Sequence, residues 1–110
     1  MLRTKRLPNI HPGEVLREEF MQPLGLSSYR LAKELHVTQP RVNDLVLEKR
    51  GVTADMALRL GTYFATGPEF WMNLQQAFEL EEAQRAAGTS VSKIRPRDSQ
   101  KAGQALRPPL

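Results

Sequence analysis

Residues 31–45, LAKELHVTQPRVNDL, constrain this chain more than any other stretch. Apolar residues recur at helical spacing up to Leu35, stop across His36, Val37 and Thr38, and resume behind Pro40. Thr38 has N-cap chemistry, and Pro40 falls in a first helical turn, where its missing N–H costs little. Two short helices joined by so tight a turn, and sharing one apolar core, form a helix-turn-helix. Ala32 is then small because the second helix crosses close to it. Val37 points inward from the turn and fixes the angle, while Val42, Leu45 and Val46 bury the inner face of the second helix. That helix stands proud of the body, narrow enough to enter a major groove about 12 Å wide.

His36 is the off-pattern residue. Turns of this kind usually place Gly there, because the backbone tends to the left-handed region, and His is one of the non-glycine residues enriched in it. A metal role for His36 is not expected, since the one other histidine is His11 and nothing in the sequence brings the two together.

Punctuation elsewhere predicts five helices and no strand. HPGEVLREEF opens with Pro12 and Glu14, sets Leu16 and Phe20 on one face, and is ended by Pro23 and Gly25. SSYRLAKEL offers Ser27 or Ser28 as N-cap, with Leu31, Ala32 and Leu35 inside. Gly51 is expected to stop the helix that begins at Thr38. Thr53 caps TADMALRLGTYF, whose inner face is Ala57, Leu60 and Phe64. The last helix starts at Pro68 and Glu69, with Phe70, Leu74 and Ala77 at helical spacing and Trp71 and Phe78 beside them.

A chain of 110 residues has room for one modest core. Cys is absent, which excludes disulfides, a thiol nucleophile and thiolate metal sites. No paired-carboxylate or nucleophile–base set emerges, so neither an enzyme nor a cofactor or metal site is expected. The sequence shows no apolar run long enough for a membrane span and no export leader, which makes a cytoplasmic chain the default. Net charge is +4, and its location matters more than its size. Residues 1–85 hold 11 basic and 11 acidic residues, whereas residues 86–110 hold Lys93, Arg95, Arg97, Lys101 and Arg107 against Asp98 alone. The expected organisation is a basic arm at 1–10 carrying Arg3, Lys5 and Arg6, a helix-turn-helix domain at 11–85 with its motif at 28–47, and a flexible, disordered basic C-terminal tail at 86–110.

LAKELHVTQPRVNDLVLEKRGVTADMALRL resembles the helix-turn-helix of the phage-repressor/Cro-like (XRE) class. HPGEVLREEF before it and GVTADMALRLGTYFATGPEFWMNLQQAFEL after it resemble the HigA-type, or VapI-like, antitoxins of type II toxin–antitoxin modules. The likeness covers roughly residues 10–82, and TADMALRL followed by PEFWMNLQ is its most specific part. It implies an all-α, five-helix, phage-repressor-like DNA-binding protein. Such a protein neutralises a small toxin of the RelE-like (HigB-type) ribonuclease fold and represses the shared promoter. A stand-alone transcriptional repressor on the same fold is the alternative.

The exposed helix names the candidate base-reading residues: Gln39, Pro40, Arg41, Asn43 and Asp44. Gln39 suits adenine, Arg41 suits guanine or a phosphate, and Pro40 offers an apolar contact to a thymine methyl. Asp44 either accepts from cytosine or orients Arg41 one turn earlier. Ser28, Arg30, Thr38, Lys49 and Arg50 lie where the motif's ends approach the DNA backbone, and there they supply affinity rather than specificity. Lys33 is expected to face solvent. A domain this small is expected to act as a homodimer, with recognition helices about 34 Å apart on double-stranded operator DNA. Phe78 and Leu80 on the last helix form either the dimer face or part of the core. A ribonuclease toxin holds a polyanion and is therefore basic, so Glu14, Glu18 and Glu19, or Glu79, Glu81 and Glu82, are candidates to face it, although such clusters are more often ordinary solvated helix faces.

Overall fold

A computed structural model describes residues 9–97, and all regular structure among them is helical. Most of the expected N-terminal arm, including Arg3, Lys5 and Arg6, lies outside the described residues, as do Asp98, Lys101 and Arg107 of the tail. The first helix, α1, passes through three conformations: an α-helical turn Pro12–Val15, a wider π-helical stretch Leu16–Met21, and a closing turn Gln22–Leu24. Pro23 falls within that last turn instead of ending the helix. Termination belongs to Gly25, which takes the left-handed conformation at φ 64°.

The next two helices are α2 (Ser28–Leu35) and α3 (Gln39–Val46). Ser27, not Ser28, caps α2, its hydroxyl accepting from the Arg30 N–H at 3.0 Å. His36 adopts φ 60°, ψ 44°, the left-handed conformation expected for the turn. Its N–H bonds to Lys33 O and that of Val37 to Ala32 O, so the last carbonyls of α2 are satisfied as in a Schellman motif. Leu31, Ala32, Leu35, Val42 and Leu45 are all buried, and Val37 and Val46 pack half-buried against them. Gly51 does not stop α3: Leu47 caps it and Glu48, at φ 64°, turns the chain. Gly51 is instead a point of close approach, where a Cβ would meet the Gln75 amide at 2.6 Å.

Helix α4 (Ala54–Tyr63) is capped by the Thr53 hydroxyl, which accepts from the Met56 N–H at 3.1 Å, and it buries Met56, Ala57, Leu60 and Gly61. Helix α5 (Pro68–Ser92) packs mainly on α4. Its inner face is Trp71, Leu74, Gln75 and Phe78, whereas Phe70 and Ala77 are exposed, so the expected face is rotated. Trp71, the largest fully buried side chain, sets that face, and Gln75 shares it: its amide accepts from the Val52 N–H at 2.7 Å and donates to Glu79 at 2.9 Å. With its polar atoms satisfied, Gln75 takes a core position that hydrophobicity alone would assign to an apolar residue. α5 also runs on to Ser92, past the boundary expected at residue 85. The Arg85–Glu81 pair at 3.1 Å and the strong helix formers Ala86 and Ala87 carry it across.

α1 is held against the rest at both ends. Phe20 joins the rings of Phe64 and Trp71, with centroids at 4.8 and 5.1 Å. At its start, Asn9 donates to Phe78 O at 2.7 Å, and the His11 ring meets Phe78 edge-on at 4.7 Å. His11 Nδ1 accepts from the Gly13 N–H at 2.8 Å and so works as the N-cap of α1. That role requires an unprotonated Nδ1. Burial lowers the His11 pKa from its ordinary 6.5, opposed by nearby Glu48 and reinforced by Arg17. The folded chain thus resists a proton that the unfolded chain accepts, so His11 leaves stability intact above about pH 6.5 and removes it as pH falls through the lowered value. Thermal melts between about pH 7.5 and 5 should show Tm dropping, and His11→Asn, which keeps a capping acceptor that does not titrate there, should flatten that drop. An equal drop in the variant would assign the effect to other groups.

Candidate nucleic-acid interface

α3 shows the solvent a compact polar face. Gln39 and Pro40 are exposed, and Arg41, Asn43 and Asp44 are half-buried around them, all five on one helix whose opposite side is Val42 and Leu45. The helix is only eight residues long, so its direction is set by neighbours rather than by its own stability. α1 supplies two of these constraints. Gly13 lies so close to α3 that a Cβ on it would overlap Leu45 O, and Arg17 Nη1 donates to Val46 O at 2.6 Å. Arg17 therefore satisfies a carbonyl at the C-terminal end of α3 and places a cation where the helix dipole favours one.

The side chains expected to touch DNA are arranged as follows. Arg41 Nη2 donates to Asp55 Oδ2 at 3.2 Å, and Asp44 accepts from Arg50 at 3.1 Å. Asp44 therefore does not orient Arg41; Asp55, at the start of α4, does. Arg59 Nε donates to the same Asp55 oxygen at 2.9 Å, while Arg59 Nη1 donates to Leu35 O at 2.9 Å and His36 O at 3.4 Å. Hydrogen bonds from Arg59 first, then Arg41, hold the Asp55 carboxyl below the usual carboxylate range. Ser28 is half-buried and Arg30, exposed, pairs with Glu34 at 3.1 Å. Thr38 occupies the N-cap position of α3 in extended conformation, but its hydroxyl makes no capping bond. Lys49 and Arg50 are exposed just beyond α3. Lys33 is exposed as expected, its ammonium 5.5 Å from the Tyr29 ring centroid.

The acidic candidates fall into two sets on separate helices. Glu18 pairs with Arg17 at 3.3 Å and, with Glu19, is exposed on α1, while Glu14 is half-buried. On α5, Glu79 is tied to Gln75, Glu81 to Arg85, and Glu82 accepts from Asn9 at 3.3 Å. Phe78 is half-buried in the core contacts with α1, which leaves Leu80 as the exposed member of the expected dimer pair.

Sequence reasoning missed Arg17, Asp55, Arg59 and Gln75 as contributors. Asp55 and Arg59 carry a readable sign, the i, i+4 spacing of opposite charges on one helix. Arg17 acts across the fold through Val46 O and Gln75 through the Val52 N–H, contacts 29 and 23 residues away that no local pattern shows.

An exposed helix on a two-helix brace, its turn pinned by backbone bonds and its ends flanked by cations, defines a helix-turn-helix protein. No protein-family model matches the chain. Virulence-associated protein I of Dichelobacter nodosus is 52% identical over 79 residues, spanning 72% of this chain and 73% of that protein. Antitoxin HigA-1 of Vibrio cholerae serotype O1 is 34% identical over 97 residues, spanning 87% and 90%. Among solved structures, the Pseudomonas aeruginosa antitoxin HigA with the higBA promoter superposes with a TM-score of 0.79 at 49% identity, covering 81% of this chain and 98% of that one. The chain belongs to the HigA-type, VapI-like family of helix-turn-helix antitoxins.

Proposed function

We propose that this chain is a non-enzymatic antitoxin that acts in the cytoplasm: it binds operator DNA through α3, represses its own operon, and neutralises a small basic ribonuclease toxin. The observation that carries the reading is the match to a HigA antitoxin solved with promoter DNA, which spans nearly all of that protein at 49% identity. Gln39, Pro40, Arg41, Asn43 and Asp44 lie on the outer side and flanks of α3 and read base edges in a major groove. Ser28, Arg30, Thr38, Lys49 and Arg50 flank them and meet phosphates, with the uncommitted Thr38 hydroxyl as one such donor. A homodimer sets two copies of α3 on a palindrome about 34 Å apart. Acidic residues on α1 (Glu14, Glu18, Glu19) or α5 (Glu79, Glu81, Glu82) oppose the toxin's basic face. The DNA arm is tested by titrating the protein against a duplex from the promoter upstream of its gene and against a scrambled duplex at one salt concentration. Specific binding should be on the order of 1,000-fold tighter or more. Equal affinity for the two duplexes would remove sequence-specific repression from the account.

A further inference from the structure

We infer that Asp55, outside the helix-turn-helix, is a specificity-determining residue of the DNA surface: its carboxylate fixes the Arg41 guanidinium and so decides which base pair that arginine reads. The inference rests on the proposed role of α3 in DNA recognition and adds to it a residue that touches no base.

The geometry is a relay of hydrogen bonds. It starts at the carbonyls of Leu35 and His36, where α2 ends, passes through Arg59 to Asp55 Oδ2, and from that same oxygen to Arg41 Nη2 on the recognition helix. Arg59 is thus anchored to backbone, and Asp55 is anchored by Arg59, before Arg41 is reached. A free arginine samples many rotamers and loses them on binding; one already held by a carboxylate has lost them in advance. Only one Arg41 hydrogen bond is directed at Asp55, and the guanidinium carries five N–H donors in a rigid fork, so donors remain for guanine O6 and N7. The Arg41 side chain is 33% exposed and the Asp55 side chain 52%, so the pair lies at the surface that DNA would approach.

Asp55 also sets a negative charge beside that surface. It therefore opposes DNA binding in general while sharpening one contact, and these effects have opposite signs. A mere brace between α3 and α4 would not sharpen one contact: its loss would lower discrimination at the Arg41 and Gln39 pairs alike.

The test begins with a duplex selected by the wild-type protein from a random pool, on which the base pairs read by Arg41 and Gln39 are identified as those whose identity ceases to matter in Arg41→Ala and Gln39→Ala. Dissociation constants are then measured for wild type, Asp55→Asn and Asp55→Ser on the selected duplex, on duplexes changed at either pair, and on an unrelated duplex, with a thermal melt of each variant. Wild type should discriminate by about 10- to 100-fold at each pair. Both Asp55 variants should fall to about threefold or less at the Arg41 pair, keep wild-type discrimination at the Gln39 pair, and bind the unrelated duplex more tightly. Retained discrimination at the Arg41 pair, equal loss at both pairs, or weaker binding to the unrelated duplex would overturn the inference. A wild-type protein that selects no sequence from the pool would instead overturn the proposed DNA function, and this inference with it.

Discussion

Arg41→Ala should weaken binding to the promoter duplex by about 10- to 100-fold while moving Tm by no more than a few degrees. A well-placed bidentate arginine–guanine contact is worth roughly 1–3 kcal/mol of discrimination, and a tenfold change in affinity is about 1.4 kcal/mol. The small effect on folding follows from what Arg41 leaves behind. Asp55 keeps Arg59 at 2.9 Å, so truncating Arg41 strands no buried charge. The lost Arg41–Asp55 pair joins partly exposed side chains, and such pairs contribute little to stability. Fluorescence anisotropy titration paired with a thermal melt separates the two quantities. Unchanged affinity would take Arg41 out of the interface; a large fall in Tm would mean that its bond to Asp55 is chiefly structural.

Gly13→Ala should be strongly destabilising, although it adds a single methyl. The added Cβ would overlap Leu45 O and sit 3.0 Å from Leu45 C, and both are backbone atoms of the recognition helix. No rotamer change can clear them. α1 must back away from α3, which pulls the Arg17 guanidinium off Val46 O and disturbs the His11 cap seated on Phe78. Overpacking in a core typically costs about 1–3 kcal/mol where side chains can yield, and a backbone obstacle puts this case at or above the top of that range. Against a total stability of roughly 5–15 kcal/mol, and at about 4–8 °C per kcal/mol for a domain of this size, Tm should fall by about 10 °C or more. A variant melting within a few degrees of wild type would show that α1 does not press on α3 in solution.

Features governed by neighbouring residues were legible in the sequence. The break at His36–Thr38, the left-handed backbone at His36, the Thr53 cap and the buried set Leu31, Ala32, Leu35, Val42 and Leu45 all follow from spacing and local chemistry. What escaped was decided by partners distant in sequence. Gln75 reads as a surface residue until Val52 is brought to it, and it lies on the same inner face as the fully buried Trp71, while Phe70 stays partly exposed at the edge of that face. Gly51 looked like a helix stop because glycine commonly is one, whereas Glu48 bears the positive φ and pairs with Arg17 at 3.5 Å. At the candidate site the helix and its outward residues were readable from periodicity. The partner of Arg41 was not, because Asp55 is 14 residues away and Asp44, one turn along, is the nearer choice on paper.

We propose that one small chain carries a DNA surface on α3 and a separate toxin-neutralising surface on its acidic helices. The most direct measurement is growth of a host expressing the small open reading frame adjacent to this gene, alone, with the wild-type chain, and with the Arg41→Ala, Lys49→Ala double variant. The neighbour alone should arrest growth, and both versions of the chain should restore it. A harmless neighbour, or a toxic one that the wild-type chain fails to relieve, would contradict the antitoxin assignment and leave a stand-alone repressor. Rescue by wild type but not by the double variant would contradict the separation of the two surfaces.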